Sequence, residues 1–597
     1  MIDDAGWVKG SSLFNLKHVM TRSDAHDVAI IGGGPAGSSL GSLLKKYAPD
    51  LSVVILEREK FPRDHVGESM LPVVSRVIHN MGCWDAIEAA GFPVKIGATY
   101  RWGLSRELWD FDFLAGQTYD DAPRPSEFKG QRRGTAFQVD RSIFDDILLK
   151  HAASVGVDVR QETKVAEVLH KDDAVTGLEL EDGSIVTARY TIDASGHSGL
   201  LRRSLGIEVT EPSALKNIAI WRYWQDAEWA VTIGASGTRI QIWSLGWGWI
   251  WIIPITPTRT SIGLVVPAAY YKKSGKRPQE LYDEALGQEP NVRHLLEGAA
   301  AEEELHTTKD WSFIASRMAG ENWFLVGEAA GFADPILSAG VSMAMVGGQE
   351  AAITIAELER GALDRSWLKS EFEKSQIRRI KAHIQFADYW YTANAHFKDL
   401  IEYTGSIANE SGMPLKGQDA WQWLGTGGFV QMGGAGIAGF TLAGTKWLVD
   451  AFEESSPEWK ISKNNVFTLN LEGATKVDIA LFHEGSIEPI SGLSRNKKLL
   501  PARGVYRFLV QALTRSNRLD ALMAQIEGDW CARPETGGNG MRTAFEALEA
   551  MVNDGWVTAS RTLELPTLSL DVIASSALFR MNADTFVDSA SVPGPVA

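Results

Sequence analysis

Polar positions without a regular period fill the start of the chain, so residues 1–26 read as an N-terminal extension. The apolar run Val28 to Ile31 then predicts a buried strand. The glycine turn after it opens a helical pattern from about Pro35 to Lys46. A second apolar run, LSVVILE, predicts another strand ending at Glu57. Strand-like stretches occupy about 95–140 and 205–315, where TRIQIWSL alternates and RTSIGLVV runs apolar. After about residue 345 the period becomes helical. LKSEFEKSQIRRIKAHIQFADYWYTANAHFKDLIEY carries mixed charge on its polar side. The remainder, 401–597, is expected to form a separate, mostly helical region serving as a cap or docking surface. Within it NGMRTAFEALEAMVNDGWV followed by LPTLSLDVI suits a helix and wing.

Two stretches depart from these patterns. WQWLGTGGFVQMGGAGIAGFTLAGT, Trp421 to Thr445, is charge-free and long enough to cross a bilayer, but its glycines and polar residues favour a buried cap or loop. GWGWIWIIPI, residues 246–255, crowds Trp247, Trp249 and Trp251 ahead of Pro254. A strand buried on both faces explains it, because Trp and Ile suit a packed pleated surface. So does a plug of rigid indoles standing where other enzymes hold substrate.

Charge narrows the choice of partners. The 597 residues have a formal net charge of −16, which argues against nucleic acid and against anionic membrane surfaces. The apolar fraction of 45% with 22% charged residues is that of a globular chain able to bury large cores. Two distant cysteines, Cys83 and Cys531, imply no disulfide framework. No secretory segment is recognisable, and a cytoplasmic location is expected. The histidines form no HExxH or comparable pair, so no metal site is expected, and no GxSxG elbow is present.

The chemistry begins at Gly32-Gly33-Gly34-Pro35-Ala36-Gly37. Gly32 permits the tight turn, Gly34 lets backbone approach a pyrophosphate, and Gly37 lets helix and strand pack closely. The helix N-terminus offers N–H groups and partial positive charge to phosphates. Glu57, ending the second strand, is placed to accept bonds from ribose hydroxyls. Strand, glycine turn, helix, strand and acid in sequence predict a dinucleotide site.

Four further segments resemble flavoproteins of the p-hydroxybenzoate hydroxylase type and point to FAD. FPRDHVGESMLP contains the V-G-E-S run, and FQVDRSIFDDILLKHA carries a V-x-R segment whose arginine, here Arg141, lies beside the flavin in that class. YTIDASGHSGLLR resembles the second strand-to-turn element. NWFLVGEAAGFADPILSAGVSMAM resembles the segment closing over the ribityl chain, with Glu328 where aspartate is usual. The resemblance implies an α/β fold: a Rossmann-like FAD module with an interleaved β-sheet substrate module. It implies FAD contacts from Gly32, Gly34, Ala36, Gly37, Glu57, Arg58, Arg63, Gly67, Glu68, Ser69, Arg141, Gly327, Glu328, Pro335, Gly340 and Val341.

Three motifs narrow the resemblance to FAD-dependent halogenases over about residues 27–400. WIWIIP, Trp249 to Pro254, matches W-x-W-x-I-P, and FADPILSAG, Phe332 to Gly340, matches F-x-x-P-x-x-S-x-G. GFPVKIGATYRWG resembles the segment carrying the essential lysine, here Lys95. The family implies that FADH2 and O2 oxidise chloride or bromide held around Ser338, Ala339 and Gly340. Trp249, Trp251 and Pro254 plug the path between compartments, and hypohalous acid travels to the catalytic Lys95. A separate flavin reductase is expected, because no second nucleotide module is recognisable. The likeness is to enzymes acting on phenols, pyrroles or acyl groups in natural-product and antibiotic biosynthesis, with a small aromatic substrate, free or carrier-bound. Tryptophan halogenases usually have G-G-G-T-A-G at the turn and a glutamate where Leu337 stands. A flavin monooxygenase or an isoprenoid-type flavin reductase shares the FAD segments but not the tryptophan motif or Lys95. An FAD-bearing scaffold without activity would have no use for either. A link between Asp310 and the flavin stays open.

Overall fold

The computed structural model describes residues 24–411, apart from 105, 115–117, 121–122, 212 and 230–236. It also describes 458–568, apart from 497 and 537–539, and 579–581. The Trp421–Thr445 run lies outside the described residues, as do residues 1–23. The first strand is Asp24–Ile31, longer than its apolar run, because Asp24, Ala25 and His26 pair with Val186, Thr187 and Ala188. Register with a neighbour, not hydrophobicity, carries those polar positions into the sheet.

A seven-stranded sheet forms the first layer. Asp24–Ile31 lies at its centre, parallel to Val53–Leu56 on one side and Ile185–Asp193 on the other. Asp158–Arg160 extends one edge, and Val165–Lys171 and Ala174–Leu180 add an antiparallel hairpin. The central strands read as unbroken apolar runs because both their faces are buried: Val28 to Ile31 and Val53 to Leu56 are all nearly inaccessible. The helices Pro35–Tyr47, Arg141–Ser154 and Gly340–Arg360 pack in this layer.

The second layer is a ten-stranded sheet drawn from both sides of the first in sequence. Its order runs through Lys216–Gln225, Arg259–Pro267, Trp249–Pro254, Gly237–Ser244, Val94–Arg101 and Trp109–Asp112, ending on Phe579–Met581. The helix Arg365–Thr392 runs between the layers and ends at Thr392, where the helical pattern of the sequence had no visible break.

Beyond residue 458 the helices Gly504–Arg515 and Gly540–Asn553 are preceded by a feature the sequence pattern did not signal. This is a three-stranded antiparallel meander of Thr475–His483, Ser486–Arg495 and Lys498–Pro501. The meander sits on the first layer, where Arg360 donates to the Gly485 carbonyl at 2.7 Å and the Ile487 N–H to Glu357 at 3.2 Å. The Gly540–Asn553 helix is followed by the short strand Val557–Ser560, paired with Val466–Leu469. Among the described residues no helix is long and apolar enough to cross a membrane.

Candidate active site

The glycine turn is built by close approach. Gly32 has φ 101°, and a Cβ there would lie 2.5 Å from the Ala194 carbonyl oxygen. At Gly37 a Cβ would stand 2.0 Å from the Gly32 oxygen, so only glycine lets this helix meet this strand. Gly34 caps the helix with open space above it, bounded by the Arg63 guanidinium at 3.6 Å. The Glu57 carboxylate accepts from the Gly33 N–H at 2.7 Å and the Glu59 N–H at 2.8 Å, which fixes the acid beside the turn. Arg58 points away, exposed and paired with Glu59 at 3.2 Å.

Arginines gather on the same side. Arg141 is buried in a two-pronged pair with Asp145 at 2.8 and 2.9 Å, and it donates to the Val66 and Gly67 carbonyls. Arg63 lies 3.6 Å from Asp145, and its buried Nη1 has no hydrogen-bond partner among the described residues. Asp145 was not among the expected site residues, although it stands one helical turn after Arg141, where an ion pair closes. A Cβ on Gly67 would touch Arg141 at 3.1 Å and Val341 at 3.9 Å, so three segments far apart in sequence meet there. Gly327 packs against Ala36 and Ala344, which locks the two long helices of the first layer together. Burial raises the Glu328 carboxyl, against the pull of His197 and Arg141. A guanidinium held by Asp145 through one nitrogen, with its other terminal nitrogen at the Gly34 turn and open space over the helix N-terminus, fits the pyrophosphate of a dinucleotide.

Glu68 is 1% exposed, and neither of its oxygens has a partner in hydrogen-bond geometry among the described residues. Burial pushes its carboxyl up to about 7, while the Tyr223 and Ser261 hydroxyls and Arg141 pull it down. Ser69 is committed elsewhere, with its hydroxyl 3.5 Å from Gln138.

Lys95 comes from the second layer. Its strand pairs with Gly237–Ser244, and the register slips between Thr238 and Arg239: Lys95 faces Thr238, while Gly97 faces Arg239. The extra residue, Ile96, reverses the alternation. Thr238 and Ile242 share a face, and Ile242 pairs with Trp251, so the bulge puts Lys95 on the tryptophan face. Lys95 is 1% exposed, and burial alone lowers its amine to about 7. The amine lies 5.4 Å from the Phe113 ring centre, and among the described residues no acceptor reaches it.

The tryptophans are both packed and anchored. Trp249 is 2% and Trp251 6% exposed. Trp251 lies over Gly263, where any Cβ would collide at 2.1 Å, and donates to Ser261 at 3.1 Å. Trp249 donates to the Tyr391 hydroxyl at 2.8 Å. Pro254 closes the strand opposite Thr260. Trp247 turns to Tyr270 and Gln288 and serves packing.

The turn Pro335–Leu337 is capped by Asp334, which accepts from the Ile336 N–H at 2.9 Å. Ser338 then takes φ 54°, a left-handed conformation, before Ala339 and Gly340 start the long helix. The Ser338 N–H is taken up by the Pro335 carbonyl at 2.9 Å, so an anion at this right-handed to left-handed turn would rely on the N–H groups that follow, at Ala339 and Gly340. Leu337 is buried at 4%. Asp334, Tyr391 and Asn217 were not anticipated as site residues; Asp334 lies inside the F-x-x-P motif, but the others share no local pattern with it.

The chain matches the FAD binding domain family over residues 25–387. A 1H-pyrrole-2-carbonyl-[peptidyl-carrier protein] chlorinase of Pseudomonas fluorescens is 32% identical over 394 residues, covering 63% of this chain and 86% of that relative. The chain belongs to the flavin-dependent halogenases. A tryptophan 2-halogenase of Chondromyces crocatus is 31% identical over 398 residues, 64% of this halogenase and 71% of the relative. Among solved structures, the myxobacterial chondrochloren halogenase superposes with TM-score 0.55 at 27% identity, over 65% of this chain and 91% of its own. CmlS, a flavin-dependent halogenase, reaches TM-score 0.68 at 23% identity over 91% and 98%, so the shared fold extends past residue 400. The halogenase uses FAD and a halide, chloride or bromide. Its relatives set aside the monooxygenase, the isoprenoid-type reductase and the inactive scaffold.

Proposed function

We propose that this halogenase uses Lys95 to pass hypohalous acid to an electron-rich aromatic, a phenol or a pyrrole, free or tethered to a carrier protein. The observation that carries the reading is the buried amine of Lys95. It sits near neutrality, with no acceptor reaching it among the described residues, on the face shared with Trp249 and Trp251. Bound FADH2 with O2 supplies the oxidising equivalent for the halide. The chain's residues do the rest. Arg63, Arg141 and the glycine turn hold the cofactor's phosphates and edge. The N–H groups around Ser338, Ala339 and Gly340 hold the halide. Trp249 and Trp251 keep the substrate apart from the flavin. A neutral amine accepts a proton from the acid, or forms an N–halogen bond as the acid's O–halogen bond breaks and the hydroxide leaves with the amine's proton as water; an ammonium only donates a hydrogen bond. With the amine near 7, both forms are present at neutral pH.

The substrate class rests on Leu337. A buried leucine takes no proton from an aromatic intermediate, so either the substrate is activated by its own oxygen or nitrogen or another base, in the region after residue 400, takes the proton; the first favours a phenol or pyrrole. Relatives named for a pyrrole-2-carbonyl carrier-protein chlorinase and brominase support a pyrrole or carrier-bound substrate; a relative named tryptophan 2-halogenase is the opposing case. A separate reductase delivers FADH2, and the region after residue 400 serves as a cap or docking face. The test is competition: equal amounts of tryptophan, a simple phenol and a pyrrole with reductase, NADH and bromide. Bromophenol or bromopyrrole is expected; preferential bromotryptophan overturns the assignment.

A further inference from the structure

We infer that Tyr391 is a positioning residue that ties the tryptophan plug to the halide-binding turn, so that the two cannot move independently. The inference rests on the reading of Ser338 to Gly340 as the halide site. Its basis is a connected set of hydrogen bonds that converges on one carboxylate, Asp334. The Trp249 indole N–H donates to the Tyr391 oxygen at 2.8 Å, and the Tyr391 O–H donates to Asp334 Oδ1 at 3.2 Å. Asn217 Nδ2 donates to Asp334 Oδ2 at 3.0 Å and lies 3.3 Å from the Tyr391 oxygen. The Tyr403 O–H donates to Asn217 Oδ1 at 2.8 Å, and the Ile336 N–H closes the set on Asp334.

The groups come from separate elements: the tryptophan strand, the Lys216–Gln225 strand, and the helices Arg365–Thr392 and Ile401–Ser411. They converge where Asp334 caps the turn that leads into Ser338. A cap fixes the direction of the N–H groups behind it, because its oxygen pins the first turn. Moving the Trp249 ring therefore pulls on the Tyr391 oxygen, and through it on the carboxylate that sets the anion nest. All of these side chains except the partly buried Tyr403 are nearly fully buried, so water is poorly placed to replace a lost partner.

The test is a double-mutant cycle on halide affinity. Bromide is titrated into the oxidised, FAD-loaded protein, and binding is read from flavin fluorescence without turnover. Tyr391→Phe and Trp249→Phe should each weaken bromide about three- to tenfold, the worth of one buried hydrogen bond. The double variant should be no weaker than the worse single one, because both remove the same link. FAD affinity and unfolding midpoint serve as folding controls. Unchanged bromide affinity in Tyr391→Phe, or strictly additive losses in the double variant, overturns the inference. Gly340→Val separates this from failure of the underlying reading. Halide affinity lost in Gly340→Val but untouched in Tyr391→Phe refutes only the link. Affinity untouched in Gly340→Val places the halide elsewhere, and the inference falls with that reading.

Discussion

Replacing Lys95 by methionine keeps the length of the side chain and removes the amine. The amine sits near 7 in the folded protein against an ordinary 10.5, and burial is the cause. At about 1.4 kcal/mol per tenfold, that gap corresponds to about 5 kcal/mol by which folding disfavours the ammonium. The sign follows from proton counting. Between about pH 7 and 10.5 the unfolded chain keeps a proton that the folded chain has lost, so stability rises with pH across that window. Below pH 7 the wild type bears the whole penalty; above 10.5 it bears none. Lys95→Met should therefore be more stable than wild type by up to about 5 kcal/mol at pH 6, with the advantage fading to nothing by about pH 10.5. The side chain meets the Phe113 ring, and methionine is well accommodated at such a contact. The assay is urea unfolding of both proteins at pH 6, 8 and 10, followed by tryptophan fluorescence. Each comparison uses the same probe, since a chain of this size need not unfold in two states. A methionine variant less stable than wild type at pH 6, or an advantage that does not shrink with pH, would refute the argument that burial strains this amine.

Glu68→Gln should gain stability as pH rises from about 4.5 to 7, reaching about 3 kcal/mol over wild type above pH 7, because burial raises the wild-type carboxyl to about 7; unfolding midpoints at pH 4 and 8 check it. Asp145→Asn should cost about 3–5 kcal/mol and loosen FAD, since it strips the buried Arg141 of its counter-charge; FAD retention on gel filtration and unfolding midpoint read both. Gly37→Ala should abolish FAD retention, because no shift of a side chain relieves a clash with the Gly32 carbonyl. The purified protein should not oxidise NADH at the rate at which it makes product; matching rates would remove the need for a separate reductase.

Local chemistry made much of the site legible. The glycine turn is a short motif in which backbone demand dictates residue type, and Glu57 follows from its place at the end of the second strand; the Arg141 segment was legible only through family resemblance. Lys95 was legible only through family resemblance; no spacing announces the bulge at Ile96 that turns it toward the tryptophans. Hydrophobicity did not distinguish the plug from the packed strand, because both require buried indoles; the anchors on Tyr391 and Ser261 are tertiary. The carboxylate set at Asp334 was missed because its donors come from residues 217, 249, 391 and 403, joined by no period. The meander of 475–501 escaped notice because its burial alternates only weakly, with many polar positions on a half-covered surface.

The most direct test of the account is product analysis by mass spectrometry with wild type and Lys95→Met, each loaded with chemically reduced FAD and given O2, bromide and one accepted phenol or pyrrole. The account predicts brominated product from the wild type and none from the variant, while the variant retains FAD and oxidises it at a comparable rate. Brominated product from the folded variant at a rate similar to wild type would contradict the role assigned to Lys95.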